Sequence, residues 1–262
     1  MTEMTKYEPG VFCWVDHAAH DLEAAERWYA ELFGWEIARQ DTGGGPPYSM
    51  LLKDGKHVAG MGQMNDPMKS AGVPPMWNDY IAVDDVEAVA KRVEAAGGKV
   101  MVPPMKVMDA GWLAFFTDPG GASFGVWQAG EHHGAQLVNE PGAFSWNELS
   151  TRDVPGSRAF YEQVFGWGFT EQDMGSFQYT VIKAGDRDNG GIMPMHGPMW
   201  EGIPPHWMTY FTVEDCDAAA KKVEQTGGKV MVPPNDIPPG RFAVVQDPQG
   251  GIFTVIKLNA PA

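Results

Sequence analysis

The sequence repeats itself, and this duplication constrains the fold more than any other feature. Residues 74–104 match residues 204–234 at an offset of 130, with 19 of the 31 positions identical. Residues 9–35 match residues 141–167 at an offset of 132, and the segment Asp118–Gly121 returns as Asp247–Gly250. The order and spacing indicate a tandem duplication. We expect a first domain at residues 9–130, a linker at 131–140 and a second domain at 141–259.

Each half has the same predicted order of elements. Residues 12–17 are typical of a strand, and Asp21 is an N-cap before a helical pattern that ends at Gly34. Strand-like stretches follow at 35–38, 48–53 and 57–62. A second strand, helix and three strands occupy residues 80–128. The pattern predicts an α+β fold with four βαβββ modules, two in each half.

Composition excludes several classes of function. The 262 residues include 19 Lys and Arg against 34 Asp and Glu, a net charge of −15, with no basic cluster to bind nucleic acid. We see no secretory signal and no stretch of 18 apolar residues, so we expect no membrane span. Cys13 and Cys216 form no CxxC motif, which disfavours a disulfide framework. We expect a cytoplasmic protein, either monomeric or homodimeric.

Several marks make the chain resemble the vicinal oxygen chelate superfamily of glyoxalases, bleomycin-resistance proteins and extradiol dioxygenases. They are Asp21, Trp28-Tyr29, Phe33-Gly34-Trp35, Val83–Val86, Asp118-Pro119 and Phe124–Gln128, with counterparts such as Asp153, Phe165–Trp167 and Asp247-Pro248. The motifs Phe33-Gly34-Trp35 and Phe124–Gln128 are most similar to those of a two-domain actinobacterial branch of the superfamily, whose members are labelled antigen, hydroxylase or glyoxalase-like. The resemblance implies tandem glyoxalase-like domains with two cupped mixed sheets.

The resemblance also implies three metal-ligand positions in each half, on the first, fifth and last strands. In the first half these positions hold Trp14, Asn78 and Gly125, and in the second Trp146, Met208 and Thr254. Indole, thioether and glycine do not suit a hard or borderline divalent ion. We therefore expect no metal and no other cofactor.

Other side chains are expected to line the cavities instead. Side chains two residues apart share a strand face, so Phe12 and Asp16 should lie with Trp14, and Phe144 and Glu148 with Trp146. By the same rule Tyr80 accompanies Asn78, and Tyr210 accompanies Met208. Trp127 and Gln63 are further candidates in the first cavity, and Met195 in the second. Aromatic walls around one polar group are typical of small-molecule sites.

The expected function is metal-independent binding or sequestration of a hydrophobic or aromatic metabolite, with one working cavity rather than two. Two alternatives remain open. The chain could be a lyase or isomerase with Asp16 or Glu148 as acid–base group and Tyr80 or Tyr210 as donor, or a metal-dependent glyoxalase or dioxygenase if the aligned positions are displaced. It could also be an interaction protein whose cavities are closed core.

The remaining candidates are interpreted structurally. His132 and His133 are expected in a solvated linker, His17 at the helix side or surface, and Arg241 in a surface ion pair. The aromatic side chains of Trp28, Tyr29, Phe160 and Tyr161 are expected to pack in the core.

Overall fold

The computed structural model describes residues 2–259, and its elements follow the duplicated pattern. The first half contains β1 (Thr2–Glu3), β2 (Phe12–Ala19), α1 (Leu22–Phe33), β3 (Glu36–Gln40), β4 (Tyr48–Lys53), β5 (Lys56–Gln63), α2 (Asp66–Ser70), β6 (Met76–Ala82), α3 (Val86–Ala95), β7 (Lys99–Val107), β8 (Gly111–Thr117) and β9 (Ser123–Ala129). The second contains β10 (Leu137–Val138), β11 (Phe144–Thr151), α4 (Val154–Phe165), β12 (Gly168–Asp173), β13 (Gln178–Ala184), β14 (Arg187–Pro194), a 3₁₀ turn (Pro198–Trp200), β15 (His206–Thr212), α5 (Cys216–Gln225), β16 (Lys229–Ile237), β17 (Gly240–Gln246) and β18 (Ile252–Leu258).

Each half forms its own eight-stranded mixed sheet. The strand order is β3-β4-β5-β2-β6-β9-β8-β7 in the first half and β12-β13-β14-β11-β15-β18-β17-β16 in the second. Within a module the first and last strands pair in parallel, and the two modules of a half join through the antiparallel pairs β2–β6 and β11–β15. The predicted α+β fold with four βαβββ modules is confirmed.

Local sequence signals account for the long helices. The side chain of Asp21 accepts a hydrogen bond from the Ala24 amide, and Gly34 ends α1 in the left-handed conformation at φ 71°. Asp153 and Gly166 do the same for α4. The apolar stripes of these helices then determine which faces are buried.

The two halves pack through their helix-bearing faces and exchange contacts reciprocally. Trp35 Nε1 donates to the Gly142 carbonyl at 2.7 Å, and Trp167 Nε1 donates to the Gly10 carbonyl at 2.8 Å. Tyr29 donates to Asp247 Oδ2 at 2.9 Å. The equivalent bonds run in both directions, so the halves are related by a pseudo-twofold axis.

The aromatic residues of α1 and α4 lie in this shared core, as expected. Tyr29 and Tyr161 are fully buried, and each hydroxyl accepts from a tryptophan, Trp77 in one case and Trp207 in the other. Such aromatic pairs provide large apolar burial with a satisfied polar tip. The opposite face of each sheet is thereby left free to form a site.

No helix within residues 2–259 is long and apolar enough to cross a membrane.

Candidate functional site

The free face of the first sheet, here called the first cup, carries a carboxyl group held by three side chains. Asp16 Oδ1 accepts from Asn78 Nδ2 at 2.9 Å, and its Oδ2 accepts from the hydroxyls of Tyr80 at 2.9 Å and Tyr48 at 3.3 Å. Trp14 Nε1 donates to the Tyr48 hydroxyl at 3.2 Å. Four of the five groups were predicted from strand periodicity, because Asp16 pairs with Asn78 and Trp14 with Tyr80 across β2 and β6.

Tyr48 reaches the carboxyl from β4 because the intervening strand carries a glycine. A Cβ atom built on Gly60 would lie 1.9 Å from the Tyr48 hydroxyl oxygen, so any side chain there would displace the tyrosine. Sequence reasoning missed Tyr48, whose strand is two places from β2 in the sheet. The available signal was its return as Tyr179 in the repeat, together with that of Gly60 as Gly191.

The free face of the second sheet, the second cup, repeats the arrangement with one donor fewer. Glu148 Oε1 accepts from the Tyr210 hydroxyl at 2.9 Å, and Oε2 accepts from the Tyr179 hydroxyl at 2.8 Å. Trp146 Nε1 donates to Tyr179 at 2.9 Å. Met208 pairs with Glu148 where Asn78 pairs with Asp16, and a thioether supplies no amide donor.

Burial makes both carboxyl groups weaker acids than in water. Desolvation raises the pKa of Asp16, and the hydrogen bonds from Asn78, Tyr80 and Tyr48 oppose that rise. Desolvation also raises the pKa of Glu148, which is 8% exposed, while the bonds from Tyr179 and Tyr210 lower it. Each site therefore offers a carboxyl group that can accept a hydrogen bond and that holds a proton more tightly than an exposed carboxyl does.

The donor set in the cups does not suit the metal site that the resemblance implies. Tyr80 and Phe115 fill the space beside Gly125, because a Cβ atom on Gly125 would meet the Tyr80 ring at 2.8 Å and the Phe115 ring at 3.1 Å. Within residues 2–259 no three His, Cys, Asp or Glu side chains are grouped so that they could hold a metal ion. Asp16 and Glu148 each stand alone among neutral hydroxyl, amide, indole or thioether groups.

A β-bulge changes which side chains share the sheet face of Trp14. The pairing of β2 with β6 shifts between Phe12 and Trp14, and β11 with β15 shifts at the equivalent place. Phe12 consequently leaves the cup and packs against Trp207 at 5.0 Å, in the core between the halves. The prediction that Phe12 shares the Trp14 face was wrong because strict alternation holds only without a bulge.

Two further expectations, for Gln63 and His132, need correction. Gln63 does not line the cup, because its Oε1 accepts from the Leu22 amide and its Nε2 donates to the His20 carbonyl, at the start of α1. His17 is on the face opposite Trp14 and at the helix side, as expected: it is fully buried there, with its ring 5.1 Å from that of Tyr29 on α1 and its Nε2 3.0 Å from Asp247. Residue 132 of the linker is not solvated: the His132 ring packs edge-on against Trp14 with centroids 4.5 Å apart.

The other candidates lie as follows. Trp127 is on the face of the first cup, opposite Leu113 on β8. Met195 is buried, with its sulfur 3.9 Å from Arg152 Nη1. Arg241 forms ion pairs with Asp217 and Asp236, so the predicted surface pairing is confirmed.

Comparisons with known proteins place this geometry in a family. The model of the "Glyoxalase/Bleomycin resistance protein/Dioxygenase superfamily" matches residues 14–126 and again 132–254. "Putative glyoxylase CFP32" of Mycobacterium tuberculosis is 46% identical over 260 residues, covering 98% of both chains. "Anthracycline biosynthesis protein DnrV" of Streptomyces peucetius is 35% identical over 266 residues, covering 98% of this chain and 96% of the relative.

Solved structures of low identity share the fold. The Mn(II)-bound glyoxalase from Novosphingobium aromaticivorans superposes with a TM-score of 0.65 at 18% identity, covering 95% of this chain and 82% of that chain. The 2,3-dioxygenase LapB from Pseudomonas sp. KL28 gives a TM-score of 0.65 at 14% identity, covering 98% and 96%. The chain belongs to the glyoxalase/bleomycin resistance protein/dioxygenase superfamily.

Proposed function

We propose that the chain is a metal-independent small-molecule-binding protein whose ligand is a hydrophobic or aromatic metabolite carrying a hydrogen-bonding group. The observation that carries the proposal is the repeated cluster of one carboxyl, two tyrosines and one tryptophan on the cup faces, Asp16 with Tyr48, Tyr80 and Trp14, and Glu148 with Tyr179, Tyr210 and Trp146. Such a cluster can stack on a flat ring and fix its orientation through one polar contact.

The carboxyl groups keep capacity for a ligand after their internal bonds are counted. A carboxylate has about four lone-pair positions, whereas Glu148 accepts two bonds and Asp16 three. A hydroxyl or amine of the ligand can therefore donate to either group. The name of the relative DnrV, an anthracycline biosynthesis protein, supports a flat aromatic ligand class.

Acid–base catalysis without a metal is the second candidate, favoured by the raised pKa of both carboxyl groups. In that case Asp16 or Glu148 would exchange a proton with the substrate, and Tyr80 or Tyr210 would donate a hydrogen bond to the developing negative charge. The word glyoxylase in the name of the CFP32 relative supports this class. Its metal-dependent form is disfavoured by the donor set in the cups.

Native mass spectrometry of protein purified without chelator tests the proposal, because it reports bound metal, retained ligand and oligomeric state together. We expect no stoichiometric metal and binding of added 2-naphthol, a flat ring with one hydroxyl. Stoichiometric Zn, Ni, Fe or Mn would refute metal independence. If a metabolite is found bound and is turned over by the wild type, its turnover can be measured in Asp16→Asn and Glu148→Gln. Loss of turnover with binding retained in these variants would favour catalysis.

A further inference from the structure

The two cups differ in the aromatic side chains that form their walls. In the first cup, a residue of the linker is part of this wall. Residues 130–136 are bonded along the edge of the first cup: the His132 amide donates to the Ala110 carbonyl at 3.1 Å, and the Ala135 amide donates to the Cys13 carbonyl at 2.8 Å. Trp127 Nε1 donates to the His132 carbonyl at 2.8 Å. These bonds fix residue 132 at one end of the cup.

The His132 imidazole lies among rings from three strands of the first cup. Its centroid is 4.5 Å from Trp14 on β2, 5.7 Å from Trp127 on β9 and 6.1 Å from His57 on β5. Burial lowers the pKa of His132 to about 4, with His57 and His133 adding to the effect, so the ring is neutral at pH 7. A neutral ring packed this way covers Trp14, which is 3% exposed.

Among residues 2–259, the second cup has no counterpart of the His132 ring that packs on Trp14. Trp146, the repeat counterpart of Trp14, is only half-buried, and no ring packs against it among residues 2–259. The positions of His57 and Trp127 hold Asp188, which is exposed and paired with Lys183, and Ile256, which is smaller than an indole. Ligand contact with the indole face is therefore possible at Trp146 and blocked at Trp14.

We propose that the second cup is the working binding site, and that His132 closes the first. The proposal rests on the proposed function and adds the location and recognition of the ligand. A flat aromatic ring stacks on Trp146, and its hydroxyl donates to the Glu148 carboxylate, whose other bonds come from Tyr179 and Tyr210. Asp16 is more exposed than Glu148, so His132 covers the indole wall of the first cup and leaves its carboxyl accessible.

Matched variants in the two halves test the assignment with 2-naphthol, using equilibrium dialysis. We expect one equivalent to bind the wild type, a loss of affinity of about tenfold in Glu148→Gln and less than about twofold in Asp16→Asn, since a charge-assisted hydrogen bond is lost only in the former. Binding of 2-methylnaphthalene, which lacks the hydroxyl, should not respond to Glu148→Gln. His132→Ala should open the first cup and raise the stoichiometry towards two.

A ligand-free measurement tests the closure separately. Hydroxyl-radical footprinting with peptide mass spectrometry should oxidise Trp146 faster than Trp14 in the wild type, and His132→Ala should raise oxidation of Trp14 alone. Equal reactivity of the two tryptophans in the wild type overturns the closure. Loss of 2-naphthol binding in Asp16→Asn but not in Glu148→Gln overturns only the assignment to the second cup. Failure of the folded wild type to bind 2-naphthol overturns the proposed function and the assignment together.

Discussion

The carboxyl of Asp79 is buried between the two halves and should make the stability of the protein fall as pH rises. Asp79 is 2% exposed on β6, and its Oδ1 accepts from Asn147 Nδ2 at 2.5 Å and Thr209 Oγ1 at 2.6 Å, while Oδ2 has no partner within residues 2–259. Burial raises the pKa of Asp79 to about 6 against the opposing effect of these two bonds.

The sign and size follow from proton linkage. Between the unfolded pKa of about 3.9 and the folded pKa of about 6, the folded protein holds a proton that the unfolded chain has released. Unfolding then releases a proton, so the contribution of Asp79 is full below about pH 4 and is lost by about pH 6. Two pKa units correspond to about 3 kcal/mol in total, of which about 2 kcal/mol falls between about pH 4.5 and pH 8.

The assay is urea unfolding of the wild type and Asp79→Asn across this range, because the difference between them cancels the other titrating groups. The free energy of unfolding of Asp79→Asn minus that of the wild type should rise by about 2 kcal/mol from about pH 4.5 to pH 8. Thr209→Val removes a donor to the carboxylate and should steepen the fall with pH. A difference that stays constant with pH would refute the reasoning.

Three further outcomes are expected from side-chain packing. In Gly60→Ala the added Cβ would lie 1.9 Å from the Tyr48 hydroxyl, and in Gly191→Ala 1.8 Å from the Tyr179 hydroxyl, so each variant should displace its tyrosine. The bond from that tyrosine to Asp16 or Glu148 is then lost, and the titration of that carboxyl, followed by NMR, should shift. Trp35→Phe leaves the Gly142 carbonyl without its indole donor and should lower the free energy of unfolding by about 1–3 kcal/mol, whereas in Trp167→Phe the Gly10 carbonyl keeps the bond from Asn189 Nδ2 at 2.9 Å and the loss should be smaller; a larger loss in Trp167→Phe than in Trp35→Phe would contradict this accounting. A Cβ atom on Gly251 would lie 2.7 Å from His17 Nε2, so Gly251→Ala should destabilise the wild type more than the His17→Leu variant, with a coupling of about 1 kcal/mol in a double-mutant cycle; additive effects would exclude the contact.

The modules could be predicted from the sequence because each depends on local signals. Asp21 and Gly34 bound α1 through bonds within one turn of the helix, and the repeat supplied a second copy against which every boundary could be compared. Trp14, Asp16 and Tyr80 followed from alternation along two paired strands. To predict these contacts it is enough to know which strands are neighbours and in which direction they run, and the repeated sequence pattern indicates both.

Contacts that depend on distant geometry could not be predicted in the same way. The bulge at Cys13 turns Phe12 to the other face, and nothing in the residue type of Cys13 requires it. Tyr48 reaches Asp16 across a strand, and His132 enters the cup because bonds of the linker to Ala110 and Cys13 hold it there. In each case the contact depends on the path of the backbone and not on the alternation of side chains along a strand.

The crosswise hydrogen bonds between the halves also impose an order on folding. Tyr29 finds its acceptor at Asp247, 218 residues later in the chain, and Trp28 donates to Thr226, 198 residues later. During synthesis the first half therefore emerges with its aromatic face uncovered until the last strands are made. Contacts of such long sequence separation slow folding, because the chain must close a large loop before they form. The first half of the duplicated chain therefore depends on the second half to shield its aromatic face from water.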